Sequence, residues 1–292
     1  MVDLETYLIR QRERIEDALD RVVPPLGTAP AVLHEALRYT LLSPGKRLRG
    51  IVTLAACDLL RGPQAPALTC ACAVEMVHAS SLILDDLPCM DNASLRRGRP
   101  VLHGVVGEAN AILAAVGLLN GGFALVQAAD GIRDRARREI AGTLASAIGA
   151  QGLIGGQVVD LESTGERLDL DSLEFIHSHK TGALFTAAAE MGAICAGGRS
   201  RDLDGLHRYA KNLGLAFQIT DDLLDYSGDP SVTGKDAGMD RDKTTFVDLC
   251  GIHGARRLVD ELIDASVLAL RPFGKRALLL SSLAEHVRSR DR

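Results

Sequence analysis

The chain is expected to be an all-α, single-domain helical bundle, and three observations predict it. Hydrophobic residues make up 47% of the 292, but aromatics only 3% with no tryptophan, so Ala, Leu, Val and Ile must fill the core. Small and straight-chain residues favour helix over sheet. Apolar positions recur at helical spacing, no period-two alternation persists, and no linker divides the chain, so residues 1–292 are expected to form one domain.

Asp3 to Val22 reads as a charged amphipathic helix with apolar residues at 4, 8, 15, 19 and 22, stopped by Pro24-Pro25. A second runs from Ala31 to Leu42 and ends at Ser43-Pro44-Gly45; Lys46-Arg47-Leu48-Arg49 opens a third that reaches Leu60. From Pro66 a long apolar helix climbs to Asp85-Asp86 and is broken at Pro88. Residues 109–129 carry no charge and could span a bilayer by length. Their Ala and Gly content, with Asn110, Asn120 and Gln127, predicts instead a helix buried in the middle of the bundle, and no transmembrane segment.

Arg133 to Leu161 is expected as one helix that contains Gly152, Gly155 and Gly156. Each costs about 1 kcal/mol relative to Ala in a helix interior, which signals close helix approach or room for a ligand. Leu170–Ala196 and Asp202–Tyr226 follow, then a polar Gly-rich loop over 227–244 and closing helices near 245–270 and 275–289. Loops of that length inside a compact domain are usually functional.

The net charge of −5 excludes a broad nucleic-acid footprint. Cys57, Cys70, Cys72, Cys89, Cys195 and Cys250 form no C-x-x-C pair and sit mostly in apolar stretches, as buried reduced thiols do. The charged stretch from Met1 to Arg21 does not resemble a secretory signal, and a cytoplasmic location is expected. Thr233-Gly234-Lys235-Asp236 lacks the spacing and hydroxyl residue of a P-loop, and no nucleophile elbow occurs.

The chemistry concentrates in two acidic clusters, Asp85-Asp86 with Asp91 and Asp221-Asp222 with Asp225. Asp221 and Asp225 share one helix face. Acids at the C-terminal end of a helix oppose its macrodipole at about 0.3–1 kcal/mol each, so two such clusters call for a compensating cation. All-oxygen ligation selects a hard divalent ion, and Mg²⁺ is typically held by one or two carboxylates plus substrate phosphates. Lys46, Arg47 and Arg49 at a helix start, Arg96, Arg97 and Arg99 behind Asp91, and Lys180, Lys235 and Lys243 supply cations for a phosphate ligand.

The ordered set of motifs resembles the trans-isoprenyl diphosphate synthase family over almost the whole length. Asp85-Asp86-x-x-x-x-Asp91 with Leu95-Arg96-Arg97-Gly98 is similar to its first aspartate-rich motif, and Asp221-Asp222-x-x-Asp225 to its second. Gly45-Lys46-Arg47-Leu48-Arg49, Gly155-Gly156-Gln157-x-x-Asp160-Leu161, Lys180-Thr181, Phe217-Gln218 and Gly234-Lys235-Asp236 fill the other blocks in order. Leu84, Ala115-Val116 and Asn92-Ala93-Ser94 depart from many relatives without removing an expected ligand.

The resemblance implies a helical bundle around a central elongated cavity and a homodimeric, Mg²⁺-dependent prenyltransferase with several ions per site, joining isopentenyl diphosphate to dimethylallyl, geranyl or farnesyl diphosphate. Asp85, Asp86, Asp91, Asp221 and Asp225 are the implied metal ligands. Arg96, Lys180, Thr181, Gln218 and Lys235 are implied for the allylic diphosphate, and Lys46, Arg49, His78 and Arg97 for isopentenyl diphosphate. The implied catalytic set is Asp85, Asp86, Arg96, Lys180, Asp221 and Lys235, while Arg47 should point elsewhere.

Product length is expected to be set on the helix that carries Asp85. Ser81 lies four residues, about 6 Å, before it on nearly the same face, and Ser80 is one residue further. In the family a bulky aromatic near these positions acts as a floor; two serines leave the channel open. With Cys89-Met90-Asp91 and Leu95–His103 similar to the geranylgeranyl diphosphate synthases of bacterial carotenoid pathways, a C20 product is expected. The alternatives are a C15 farnesyl diphosphate synthase and a non-catalytic subunit of a heteromeric synthase, which would be expected to lack some of the aspartates.

Overall fold

The computed structural model describes residues 3–227 and 243–289. They form an all-α bundle: α1 (Leu4–Val22), α2 (Ala31–Leu41), α3 (Leu48–Leu59), α4 (Gln64–Asp85), α5 (Leu102–Val106), α6 (Glu108–Ala128), α7 (Asp134–Ile148), α8 (Leu153–Glu162), α9 (Leu170–His177), α10 (Ala183–Cys195), α11 (Ser200–Ser227), α12 (Phe246–Ala269) and α13 (Leu278–Arg288). A π-helical turn, Ser178–Gly182, joins α9 to α10. Among the described residues the only strands are the two-residue pair β1 (Leu95–Arg96) and β2 (Arg99–Pro100).

Helix α4 is the axis of the bundle. Cys70, Ala73, Val74 and Val77 face a core shared with α3, α7, α10 and α11, while Ala67, Ala71, Met76 and Ile83 face a second core shared with α1, α2 and α6. Close approach comes from glycines rather than from shape alone. A Cβ on Gly122 of α6 would lie 3.0 Å from the Ala73 carbonyl, and one on Gly192 of α10 would collide with the Thr53 carbonyl of α3. The apolar side chains buried along both faces provide most of the folding drive at ~25 cal/mol per Å².

Four sequence expectations are corrected. The stretch 133–161 is two helices, because Gly149 and Gly152 turn the chain between α7 and α8; the Gly152 amide donates to the Gly149 carbonyl at 2.9 Å. The stretch 170–196 is interrupted by the π turn. Helix α6, uncharged after Glu108, is not buried all round: Leu113 is 60% and Val116 55% exposed, on the side away from α4. It is one of two described helices long and apolar enough to cross a membrane; the other is α4, a core helix. Cys89 and Cys250 are exposed rather than buried.

Candidate functional site

The first acidic cluster sits where α4 ends, and each of its three carboxylates is held by a cation. Asp86 is 4% exposed and takes three bonds from the Arg96 guanidinium, two from Nε at 2.7 and 2.8 Å and one from Nη2 at 2.5 Å. Burial still pushes its pKa up, against the pull of Arg96. Lys180 Nζ lies 3.2 Å from Asp85 Oδ1 and 2.8 Å from Asp160 Oδ2. Lys243 Nζ lies 2.8 Å from Asp91 Oδ1 and 3.0 Å from the same Asp160 oxygen. Burial opposes both lysine charges, yet the carboxylates hold their pKa values above the ordinary lysine value.

The backbone explains why these groups meet. Arg97 and Gly98 both have positive φ, 55° and 73°, which makes a type I′ hairpin turn between β1 and β2. That turn returns Arg96 to Asp86 and sends Arg97 the other way. Arg97 Nη1 donates to the Pro44 carbonyl at 2.9 Å, and a Cβ on Gly45 would stand 2.7 Å from the same nitrogen. A side chain there would have to displace the tip of Arg97. On α8, Gly156 lets the π turn pack close, since a Cβ would collide with the Lys180 amide. Asp160, four residues on, then meets the lysine side chain.

The π turn also reaches the second cluster. Thr181 Oγ1 donates to Gln218 Oε1 at 3.2 Å, and Gln218 Nε2 donates to Asp222 Oδ1 at 3.2 Å. Asp222 is 8% exposed and also accepts the Phe246 amide at 3.1 Å, so it anchors the start of α12. Burial first, with Asp221 and Asp225 adding like charge, pushes its pKa up to about 7. Asp221 is half-buried and Asp225 exposed on α11.

A basic face lies at the start of α3. Arg49 Nη1 is 3.3 Å from His78 Nε2, and its guanidinium stacks 4.7 Å over Phe185. Burial lowers the Arg49 pKa to about 10, and burial with Arg49 and Arg97 holds His78 well below its ordinary value, as a neutral imidazole. Lys46 is exposed in the same turn. Arg47 takes the left-handed conformation, φ 51°, and turns inward. Its Nη2 donates to the carbonyls of Leu41 and Ser43 at 2.8 Å, with Glu16 and Glu75 beside it.

The structure thus gathers Asp85, Asp86, Asp91, Arg96 and Lys180 in one place, links Thr181 and Gln218 to it, and puts Arg49, His78 and Arg97 on an adjoining face. Ser80 is buried and donates to the Ala115 carbonyl of α6 at 2.7 Å; Ser81 donates to the His78 carbonyl at 2.8 Å. Lys235 lies outside the described residues. The sequence offers Lys243 only as one cation among several for a phosphate ligand and does not single out Asp160 as a site residue. Asp160 belongs to the Gly-Gly-Gln block, and only its placement under the π turn reveals what it holds.

Among the described residues, no three His, Cys, Asp or Glu side chains converge as a metal site does. The physical reason is visible: cations already occupy the carboxylates, and bare acids would repel one another. The donor set still fits a hard ion, because the same carboxylates are aimed at positive charge. A cleft of about 770 Å³ opens beside Phe175, Ser178, His179 and His207, lined by none of the predicted site residues.

A protonated Asp222 makes one measurable prediction. An ordinary aspartate titrates near 3.9; with a folded value near 7, the folded state holds a proton between about pH 4 and 7 that the unfolded chain releases. This contribution is complete below about pH 4 and is lost as pH rises through 7. In metal-free buffer, Asp222→Asn is expected to flatten the fall of the urea midpoint across that range; an unchanged slope would count against it.

Comparison with known proteins gives the family. Residues 30–265 match the polyprenyl synthetase family model. The chain is 42% identical to the chloroplastic geranylgeranyl pyrophosphate synthase 9 of Arabidopsis thaliana, over 99% of this chain and 82% of that one. An FPP/GFPP synthase from Zymomonas mobilis superposes with a TM-score of 0.88 at 35% identity, covering 98% of this chain and 99% of that one. A Helicobacter pylori geranyltransferase, solved with magnesium and isoprenyl diphosphate, superposes at 0.86 and 32%, over 98% and 96%. These relatives overturn the expected cytoplasmic location: similar synthases from Arabidopsis thaliana and Capsicum annuum are chloroplastic, an organellar setting. The chain belongs to the polyprenyl synthetase family, the trans-isoprenyl diphosphate synthases, and is a prenyltransferase.

Proposed function

We propose that the protein is a geranylgeranyl diphosphate synthase, adding isopentenyl diphosphate to dimethylallyl, geranyl or farnesyl diphosphate until a C20 chain is reached. The observation that carries the prenyl-transfer reading is the π turn, whose Lys180 rests on Asp85 while Thr181 leads through Gln218 to the second acidic cluster. An allylic diphosphate held there has a carboxylate cluster on either side. Asp85, Asp86, Asp91, Asp221 and Asp225 are the residues that would hold Mg²⁺. Bound ions would supply positive charge to the leaving diphosphate.

The chain's own residues do the rest. Arg96, Lys180 and Lys235 are proposed to grip the allylic diphosphate, with Lys243 added to the set on its contact with Asp91. Preorganised cations of this kind stabilise charge as it develops on the leaving group. Arg49, Lys46, Arg97 and neutral His78 are proposed to hold isopentenyl diphosphate on the adjoining face. Mostly aliphatic surroundings deny water and nucleophiles to the allylic cation, and the departing diphosphate accepts the proton lost after condensation.

Chain length is proposed to be set at Ser80 and Ser81, and similar geranylgeranyl pyrophosphate synthases in plants support C20 over C15. A C20 product suits carotenoid formation. Residues 1–292 are proposed to work as one domain, in a homodimer. The exposed uncharged face of α6 supports the dimer, since Leu113 and Val116 gain from being covered. Light scattering should give twice the chain mass; a monomer at enzyme-assay concentrations would sink the dimer.

Incubation with isopentenyl diphosphate, farnesyl diphosphate and Mg²⁺ is expected to yield the C20 diphosphate; a C15 synthase would leave farnesyl diphosphate unextended. Ser80→Tyr is expected to shorten the product, and an unchanged product would remove Ser80 as a floor position. Asp160→Asn should lower kcat/KM about 10- to 100-fold, as loss of an orienting partner at a metal site does. A change below twofold would show that Lys180 and Lys243 do not need it.

A further inference from the structure

Three thiols collect at the end of the bundle far from the acids. Cys70 is fully buried in α4, 15 residues before Asp85, a separation of about 22 Å along the axis. Cys195 closes α10 and is reached by solvent in part. The two sulfurs, 125 residues apart in sequence, are 3.5 Å from one another. Cys57 is close by on α3: a Cβ on Gly62 would lie 2.5 Å from both Cys57 Sγ and Ala196 Cβ. Its thiol, however, is aimed at the Pro63 carbonyl, 3.5 Å away.

We propose that Cys70 and Cys195 are a reversible dithiol site, oxidised by a low-molecular-weight disulfide to a covalent bond between α4 and α10. A disulfide requires a sulfur separation of about 2.05 Å, so the pair must close by about 1.5 Å. No other described polar group competes for the pair at hydrogen-bond distance. Cys195 reacts first because solvent reaches it. Its thiolate attacks one sulfur of the small disulfide, the S–S bond breaks, and one thiol departs after taking up a proton. Cys70 then attacks the Cys195 sulfur of the mixed disulfide and expels the second small thiol.

In sum the protein gives up two thiol protons and two electrons, and the small disulfide is reduced to two thiols. The contact with Cys70, followed by burial, holds the Cys195 thiol above its ordinary range, so the exchange is slow near neutrality and quickens at alkaline pH. The bond would tie together two helices that lead, at their other ends, to Asp85 and to the π turn with Lys180.

The test is peptide mass mapping of the full chain after oxidised glutathione at alkaline pH, with remaining thiols alkylated. The expected result is a Cys70–Cys195 cross-linked peptide, absent from Cys195→Ala. The thermal midpoint should rise by several degrees and return with dithiothreitol, while oxidised glutathione leaves that of Cys195→Ala without the rise. The exposed Cys89 and Cys250 report that oxidant has reacted. If both are fully modified while Cys70 and Cys195 remain alkylatable, the proposal is overturned. Glutathione retained on Cys195 without a cross-link overturns it equally, as does a bond from Cys195 to Cys57.

Discussion

Asp160 is the constraint on which the arrangement of the site depends. One carboxylate oxygen holds two lysines, Lys180 from the π turn and Lys243 from the segment before α12, and these lysines hold Asp85 and Asp91. Four chain segments therefore meet through a single oxygen. A like-charged lysine pair this close is tolerable only with a carboxylate between them, since removing one partner from a buried ion pair costs about 3–5 kcal/mol. The junction is also charge-balanced to within one: Asp85, Asp86, Asp91 and Asp160 against Arg96, Lys180 and Lys243. The carboxylates can fold into place before any metal arrives.

That balance changes what substrate binding means electrostatically. On the proposed function, Asp85, Asp86 and Asp91 would hold Mg²⁺ and Arg96, Lys180 and Lys243 the diphosphate, so binding would part pairs that already exist. Each protein group would trade one counter-charge for another, so little solvation is gained or lost. The π turn suits such a rearrangement, because its wider hydrogen-bond ring places Lys180 and Thr181 on diverging directions from one short stretch.

How much of this was legible in the sequence differs by kind. The helices were readable wherever apolar spacing ran uninterrupted, as in α1, α4 and α11. The acids of the two clusters and most of the cations are readable because charge at the end of an apolar helix is costly and so conspicuous. What stayed hidden depended on backbone geometry. The π turn leaves no period of its own within 170–196, and the break between α7 and α8 hides in glycines that a helix can also contain. The hairpin turn was invisible because arginine in the left-handed region has no sequence signature comparable to Asn-Gly. Asp160 stands within a motif yet its sequence context gives no sign of its partners, which are set by where Gly156 lets two helices touch.

The pairing of Gly45 with Arg97 has a consequence for how such a sequence can change over time. The guanidinium occupies the volume that any side chain at position 45 would claim, and it is fastened to the carbonyl next door. A methyl group added at 45 would have to displace the guanidinium tip of an arginine more than fifty positions away, whereas a shorter side chain at the exposed position 97 would leave its place to water. A side chain at 45 therefore comes at the expense of the bond from Arg97 to the Pro44 carbonyl, so a change at one position is felt at the other.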